Sequence, residues 1–182
     1  MSDLADYLDE KREKLLARQK QVAAGALGRV ALAARVTAEG RSGIRRIRIR
    51  DHQVITDSPP DFAGYDLGPS SPELQLGILG SCLNHSVLIQ AAALGLDVSA
   101  LDVEVSGTID ARAGSPDHPD IPVQPHDIAF TVLIETTADD AALRTLQANV
   151  ERLCPILNLL RKPQEIAGGF DIRRPSVRHA AE

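Results

Sequence analysis

Alternating apolar and polar positions predict short β-strands along most of the chain. In residues 46–50 isoleucine and arginine alternate, so one face of that strand is apolar and the other is basic. Because acidic residues outnumber basic ones in the whole chain, we expect these arginines to face solvent or acidic neighbours. The predicted strands are residues 29–37, 44–50, 53–56, 101–109, 127–136 and 165–172.

Helical periodicity interrupts the strands at three places. Residues 3–22 predict an amphipathic helix, and residues 139–154 predict a second one that ends near Pro155. Residues 74–96 are apolar nearly all round, which is typical of a central buried helix. The order of strands, helix, strands, helix and strand indicates an α+β domain.

Composition narrows the classes of function. A chain of 182 residues with 43% hydrophobic content is long enough for one domain with a real core. A net charge of −5 and 3% aromatic residues argue against a nucleic-acid surface. We expect no membrane span, because no apolar run reaches the required ~18 residues. The charged N-terminus lacks a signal-peptide core, which predicts a cytoplasmic protein.

The chain has only two cysteines, Cys82 and Cys154. In the cytoplasm such a pair does not indicate a structural disulfide, and two thiols are too few for a zinc site built from cysteines. We expect no metal and no cofactor. A lone buried cysteine is usually a small hydrophobic residue. However, Cys82 lies in a helical segment rich in small residues, and Cys154 directly precedes a proline at a helix end.

The segments around both cysteines resemble a known family. Residues 71–83, SPELQLGILGSCL, are similar to the central-helix signature of the OsmC/Ohr family. Cys154-Pro155-Ile156, followed by Asn158 and Leu159, resembles the second cysteine motif of that family. Residues 101–107, LDVEVSG, resemble the strand after the first family helix. The resemblance covers about residues 28–172 and is closest to the general OsmC-like branch.

This resemblance implies an α+β, OsmC-like fold in an intertwined homodimer, with two central helices wrapped by β-sheets. Residues 1–25 are then an accessory helix and residues 26–182 the OsmC-like domain. It also implies a thiol-dependent peroxidase for organic hydroperoxides. Cys82 attacks the peroxide and becomes a sulfenic acid, and Cys154 resolves it as a disulfide. A dithiol, such as that of a lipoylated protein, then reduces the disulfide back to the two thiols.

The family places an arginine, held by a glutamate, beside the attacking cysteine. Arg41 in the turn GRSG resembles that arginine, and Glu73 resembles the glutamate, although Glu73 is one residue closer to the cysteine than in the Ohr branch. The alternative hypothesis is that Arg41 is an ordinary turn residue and that Glu73 is an early helical acid favoured by the helix dipole. Other arginines crowd the same region, namely Arg35, Arg45 and Arg46.

His85 follows Cys82 by three residues, so both side chains share a helix face. It is placed to lower the thiol pKa, but such a histidine is more often a core or interface residue. Two other functions remain open. The first is a small-molecule binding or scaffold protein with the same fold. The second is a thioester transferase that uses Cys82, although no Cys-His-acid arrangement is evident.

Overall fold

The computed structural model describes residues 3–41 and 43–174. Two small antiparallel sheets and four helices form an α+β architecture, as the sequence predicts. The helices are α1 (Asp3–Ala23), α2 (Ser71–Leu94), α3 (Asp140–Leu153) and α4 (Pro155–Arg161). The strands are β1 (Arg35–Glu39), β2 (Ile44–Ile49), β3 (His52–Thr56), β4 (Val98–Thr108) and β5 (His126–Thr136).

The first sheet has the order β1-β2-β3 and stands apart from the helices. Gly40 and Gly43 adopt φ of +62° and +71° in the β1–β2 turn, a conformation that glycine adopts without strain. Arg46 makes two hydrogen bonds to the Glu39 carboxylate, at 2.8 and 2.9 Å, and Arg48 lies 3.4 Å from it. The basic face of β2 therefore pairs with an acidic neighbour, as predicted.

The second sheet pairs the two long strands β4 and β5 and covers one side of α2. Leu101, Val103 and Val105 of β4 are half-buried and pack against the core, while the residues between them are exposed. At Gly80 of α2, an added Cβ would lie 3.2 Å from the Val105 Cγ2 atom. The small residue therefore allows the sheet to approach the helix closely.

Helix α2 is the centre of the fold, because α1, α3, α4 and β4 all pack against it. Its start is fixed by a capping box, in which Ser70 and Glu73 exchange side-chain and backbone hydrogen bonds. Gly95 ends it in the left-handed conformation, with φ of +69°. This helix contributes more buried apolar residues than any other element, namely Leu79, Leu83, Val87, Ala91 and Ala92.

The loop between β3 and α2 is folded around a buried carboxylate. Asp57 is fully buried, and its Oδ2 atom accepts hydrogen bonds from the backbone N–H groups of Tyr65 and Leu67. A hydrogen bond from the Ser58 backbone, followed by those from Leu67 and Tyr65, lowers the pKa of Asp57, whereas burial raises it. An added Cβ at Gly64 would lie only 1.8 Å from the Ser58 carbonyl oxygen. The loop thus holds one compact conformation before α2 begins.

Helix α1 packs on the rest of the chain. Leu8 is buried in the core, and Leu4 and Leu15 pack against it. The neighbours of α1 are α2 and β4. The boundary predicted between residues 25 and 26 stays a prediction.

The structure differs from the prediction at three elements. The first strand begins at Arg35 rather than at residue 29, and residues 165–172 form no strand. Leu32 and Phe170 in these segments are 93% and 97% exposed, so neither segment has a pairing partner within the described chain. Helix α4 was not predicted, because seven residues after a proline are too few to show a helical period.

The expectation about apolar runs also needs correction. By length and composition alone, α2 is apolar enough to cross a membrane, with a mean hydropathy of 1.3 in its best window. It is the only such helix among residues 3–41 and 43–174. A central core helix can meet the same criterion, and α2 packs against α1, α3, α4 and β4 here.

Candidate active site

The two cysteines meet. The Sγ atoms of Cys82 and Cys154 lie 3.5 Å apart, and both are free thiols. Cys82 is half-buried in the middle of α2, whereas Cys154 is fully buried between α3 and α4. A disulfide has an S–S distance of about 2.05 Å, so only a short approach is needed once an oxidant removes two electrons from the pair.

The break between α3 and α4 places Cys154. Its backbone N–H donates to the Val150 carbonyl at 2.9 Å and so ends α3, and Pro155 then begins α4. The Asn158 side chain crosses the break, since its Nδ2 atom donates to the carbonyls of Cys154 at 2.8 Å and Glu151 at 3.1 Å. Asn158 therefore holds the corner that points Cys154 at Cys82.

The surroundings of Cys82 act on the pKa of its thiol in both directions. Burial raises the pKa of Cys82, and the neighbouring Cys154 raises it further. The backbone N–H of Ile156 and the side chain of Ser86 act in the opposite direction, because they donate hydrogen bonds to the sulfur. The balance is a raised pKa. Cys154, Ile156 and Ser86 together thus do not produce the lowered pKa that an attacking thiolate needs.

Cys82 opens onto a groove of about 400 Å³. Its walls are mainly apolar, and Ser81 and His85 are the polar side chains beside the sulfur. The remaining lining residues are Leu74, Gly77, Ile78 and Ile156. Such a groove suits a small organic molecule with an apolar body. Within the described ranges, no three His, Cys, Asp or Glu side chains are grouped as metal ligands.

The other two predicted site residues lie elsewhere. Glu73 is at the start of α2, where its Oε2 atom accepts the Ser70 backbone N–H at 2.7 Å. Hydrogen bonding with the Ser70 side chain, and then with its backbone, lowers the pKa of Glu73. That is the capping arrangement of an early helical acid. Arg41 is exposed in the β1–β2 turn, next to Ser42, which lies outside the described residues. The roles of Arg41 and Glu73 beside Cys82 stay predictions.

Two of the competing arginines have partners in the first sheet and its loop. Arg45 donates to the Asp57 carbonyl at 2.7 Å and to the Ser58 hydroxyl at 3.2 Å. Arg46 is bound to Glu39 and to Gln53. Arg45 therefore ties β2 to the start of the β3–α2 loop, and Arg46 ties β2 to the two strands beside it.

His85 shares the groove with Cys82 and contacts the accessory helix. Its Nε2 atom lies 3.1 Å from the Nζ atom of Lys11. Desolvation lowers the pKa of His85, and the charge of Lys11 lowers it further. A neutral His85 with Nε2 as acceptor fits this contact, because a lysine ammonium only donates. A neutral imidazole supplies no positive charge to Cys82.

Several of these residues were missed in the sequence. Ser86 follows Cys82 by four residues on one helix, so its contact was foreseeable from spacing. Asn158 and Ile156 were recognised only as parts of a motif, without a role. The contact of Lys11 depends on how α1 packs against α2, for which the sequence offers no signal.

Comparison with known proteins identifies the family. The family described as OsmC-like protein matches residues 64–167, which is more than half of the chain and includes both cysteines. No curated protein sequence matches this chain.

Solved structures show the same fold at low sequence identity. An OsmC-like protein from Mycoplasma pneumoniae superposes with a TM-score of 0.62 at 14% identity, covering 74% of this chain and 89% of that one. A protein of Psychrobacter arcticus 273-4, described as an osmotic stress induced and detoxification response protein, gives 0.57 at 19% identity, covering 72% and 89%. An organic hydroperoxide resistance protein from Legionella pneumophila gives 0.51 at 14% identity, covering 74% and 92%. The chain belongs to the OsmC-like protein family.

Proposed function

We propose that this protein is a thiol-dependent peroxidase that reduces organic hydroperoxides. The observation that carries the proposal is the pair of reduced cysteines with sulfurs 3.5 Å apart, one of them open to an apolar groove. A binding protein has no need for two thiols in contact. The Legionella pneumophila neighbour, an organic hydroperoxide resistance protein, supports the same activity.

The two sulfurs would work in sequence. The Cys82 thiolate attacks one peroxide oxygen, the O–O bond breaks, and the alkoxide leaves and takes a proton to become an alcohol. Cys82 is then a sulfenic acid. The Cys154 thiol attacks its sulfur, a disulfide forms, and water leaves. The short S–S distance favours this closure over further oxidation of Cys82.

A dithiol would complete the cycle by exchange with the disulfide, which gives two protein thiols and an oxidised dithiol. A lipoylated protein is the carrier that the family resemblance indicates. We place this chemistry in the cytoplasm, where thiols are kept reduced.

We infer that the working form is a homodimer. A compact protein of 19.5 kDa is expected to expose about 8,500 Å² of surface, whereas this chain exposes 14361 Å². Part of the excess surface area comes from large apolar side chains that are exposed. Another part comes from the β1-β2-β3 sheet, which has no substantial packing on the helices. A second copy covering these surfaces would also bring further residues, such as a partner's copy of the β1–β2 turn, toward each site. The most exposed of these apolar side chains are Leu32, Phe62, Ile166 and Phe170.

The raised pKa of Cys82 favours a second candidate function, a binding protein whose thiols are not activated. In that case the groove would hold a small apolar ligand without chemistry. The two functions differ in whether peroxide consumes the thiols.

Peroxide turnover tests the proposal directly. With cumene hydroperoxide and dihydrolipoamide we expect steady peroxide loss for the wild-type chain, and none above background for Cys82→Ser. Cys154→Ser should lose turnover but keep a single round of oxidation, which leaves a sulfenic acid on Cys82 that dimedone traps. Wild-type thiols that react no faster than free cysteine would instead support the binding protein.

The pH dependence follows from the direction of the Cys82 pKa shift. Because that pKa is raised, only a small fraction of Cys82 is thiolate at neutral pH, and the fraction grows as pH rises. We therefore expect the rate of a single peroxide oxidation to increase from pH 7 to pH 9, measured by rapid mixing. The Cys154→Ser variant should reach a given rate at lower pH, since Cys154 contributes to the raised pKa.

A rate that is flat over this range would contradict the prediction. It would mean that Cys82 is already a thiolate at pH 7 and that a cation such as Arg41 lies beside the sulfur.

Sedimentation equilibrium tests the dimer. We expect twice the chain mass of 19.5 kDa. Leu32→Asp should shift the equilibrium toward single chains, because a charge would replace an apolar side chain that the second copy covers. Ala17→Asp, which adds the same charge on the exposed surface of α1, is the control and should stay dimeric. A single-chain mass for the wild-type protein would refute the inference.

A further inference from the structure

The accessory helix adds a cation to the edge of the Cys82 groove. Lys11 does not line the groove itself, but its Nζ atom lies 3.1 Å from the Nε2 atom of His85, which does. His85 and Cys82 are three residues apart on one face of α2. Lys11 therefore stands about one to two helical turns, or ~5–11 Å, from the reactive sulfur.

The contacts of Lys11 leave its charge available. Its ammonium also donates to the Tyr7 hydroxyl at 3.0 Å and lies 5.2 Å from the centre of the Tyr7 ring. Neither Tyr7 nor His85 is an acidic residue, and among the side chains that the structure describes no carboxylate forms an ion pair with Lys11. An ammonium has three donors, and these two contacts occupy two of them. The third donor and the full charge remain for a ligand.

We propose that Lys11 is a specificity-determining residue of the groove, which binds the carboxylate of an anionic organic hydroperoxide while the peroxide group reaches Cys82. The proposal rests on the proposed peroxidase activity and narrows its substrate class. The apolar walls formed by Leu74, Ile78 and Ile156 would hold the body of such a molecule. His85 is the positioning residue, since its contact fixes the end of the Lys11 side chain.

The distance sets the shape of the substrate. A carboxylate bound to Lys11 and a peroxide at Cys82 must be separated by about the ~5–11 Å between the two side chains. A compact aromatic acid such as 4-carboxycumene hydroperoxide meets this requirement. Its methyl ester keeps the same peroxide and the same apolar body but has no charge.

The test compares these two hydroperoxides on the full-length reduced chain. We expect the wild-type protein to have a higher kcat/KM for the acid than for the ester. Lys11→Gln should lower kcat/KM for the acid by about five- to tenfold, as expected for one charge-assisted contact, and leave the ester unchanged. Lys11→Arg should retain most of the preference. Lys14→Gln removes the same charge from an exposed position of α1 and should behave as wild type.

A binding measurement separates this proposal from the peroxidase activity. 4-Isopropylbenzoate has no peroxide, and we expect calorimetry to show that it binds wild type more tightly than Lys11→Gln. Equal binding to both, or an equal loss with Lys14→Gln, would overturn the role of Lys11. If wild type binds the acid by way of Lys11 but consumes neither hydroperoxide, the peroxidase proposal fails and the anion site stands. If wild type has the same kcat/KM for both hydroperoxides, the proposed preference for anions is refuted and the peroxidase proposal is retained.

Discussion

The contact between the Cys82 and Cys154 sulfurs depends on two features of the fold. Helix α2 is held at the centre by the elements packed on it, and helix α3 ends at Cys154. Cys82 is fixed because α2 is the central element on which α1, α3, α4 and β4 all pack. Cys154 is fixed because Pro155 ends α3 and starts α4, and the Asn158 amide ties the corner together. The sulfurs are therefore brought to 3.5 Å by two rigid elements rather than by loops. A site of this kind is already arranged before any substrate arrives.

Much of this arrangement was predictable from local pattern. The apolar run that ends in Gly80, Ser81 and Cys82 indicated a buried helix, and alternation in residues 101–106 indicated the strand beside it. Both cysteine motifs pointed to the family that the comparison confirms. The contact between the cysteines was not predictable from the residues themselves, since their separation along the chain leaves distance to the fold. The family resemblance supplied it.

The failures have a common physical cause. Residues 29–34 and 165–172 have the composition of strands, but a strand needs a partner, and Leu32 and Phe170 are almost fully exposed. Local pattern also did not reveal that Lys11 reaches His85, because that contact requires two helices to pack in one register. The exposed apolar residues are the surface that the proposed homodimer would cover.

The central claim is that Cys82 and Cys154 form one redox unit. The most direct test is to mix reduced protein with one equivalent of cumene hydroperoxide and to map the resulting peptides. The account predicts loss of both free thiols and a single Cys82–Cys154 disulfide within one chain. Two surviving thiols, or an overoxidised Cys82 beside an intact Cys154 thiol, would contradict it.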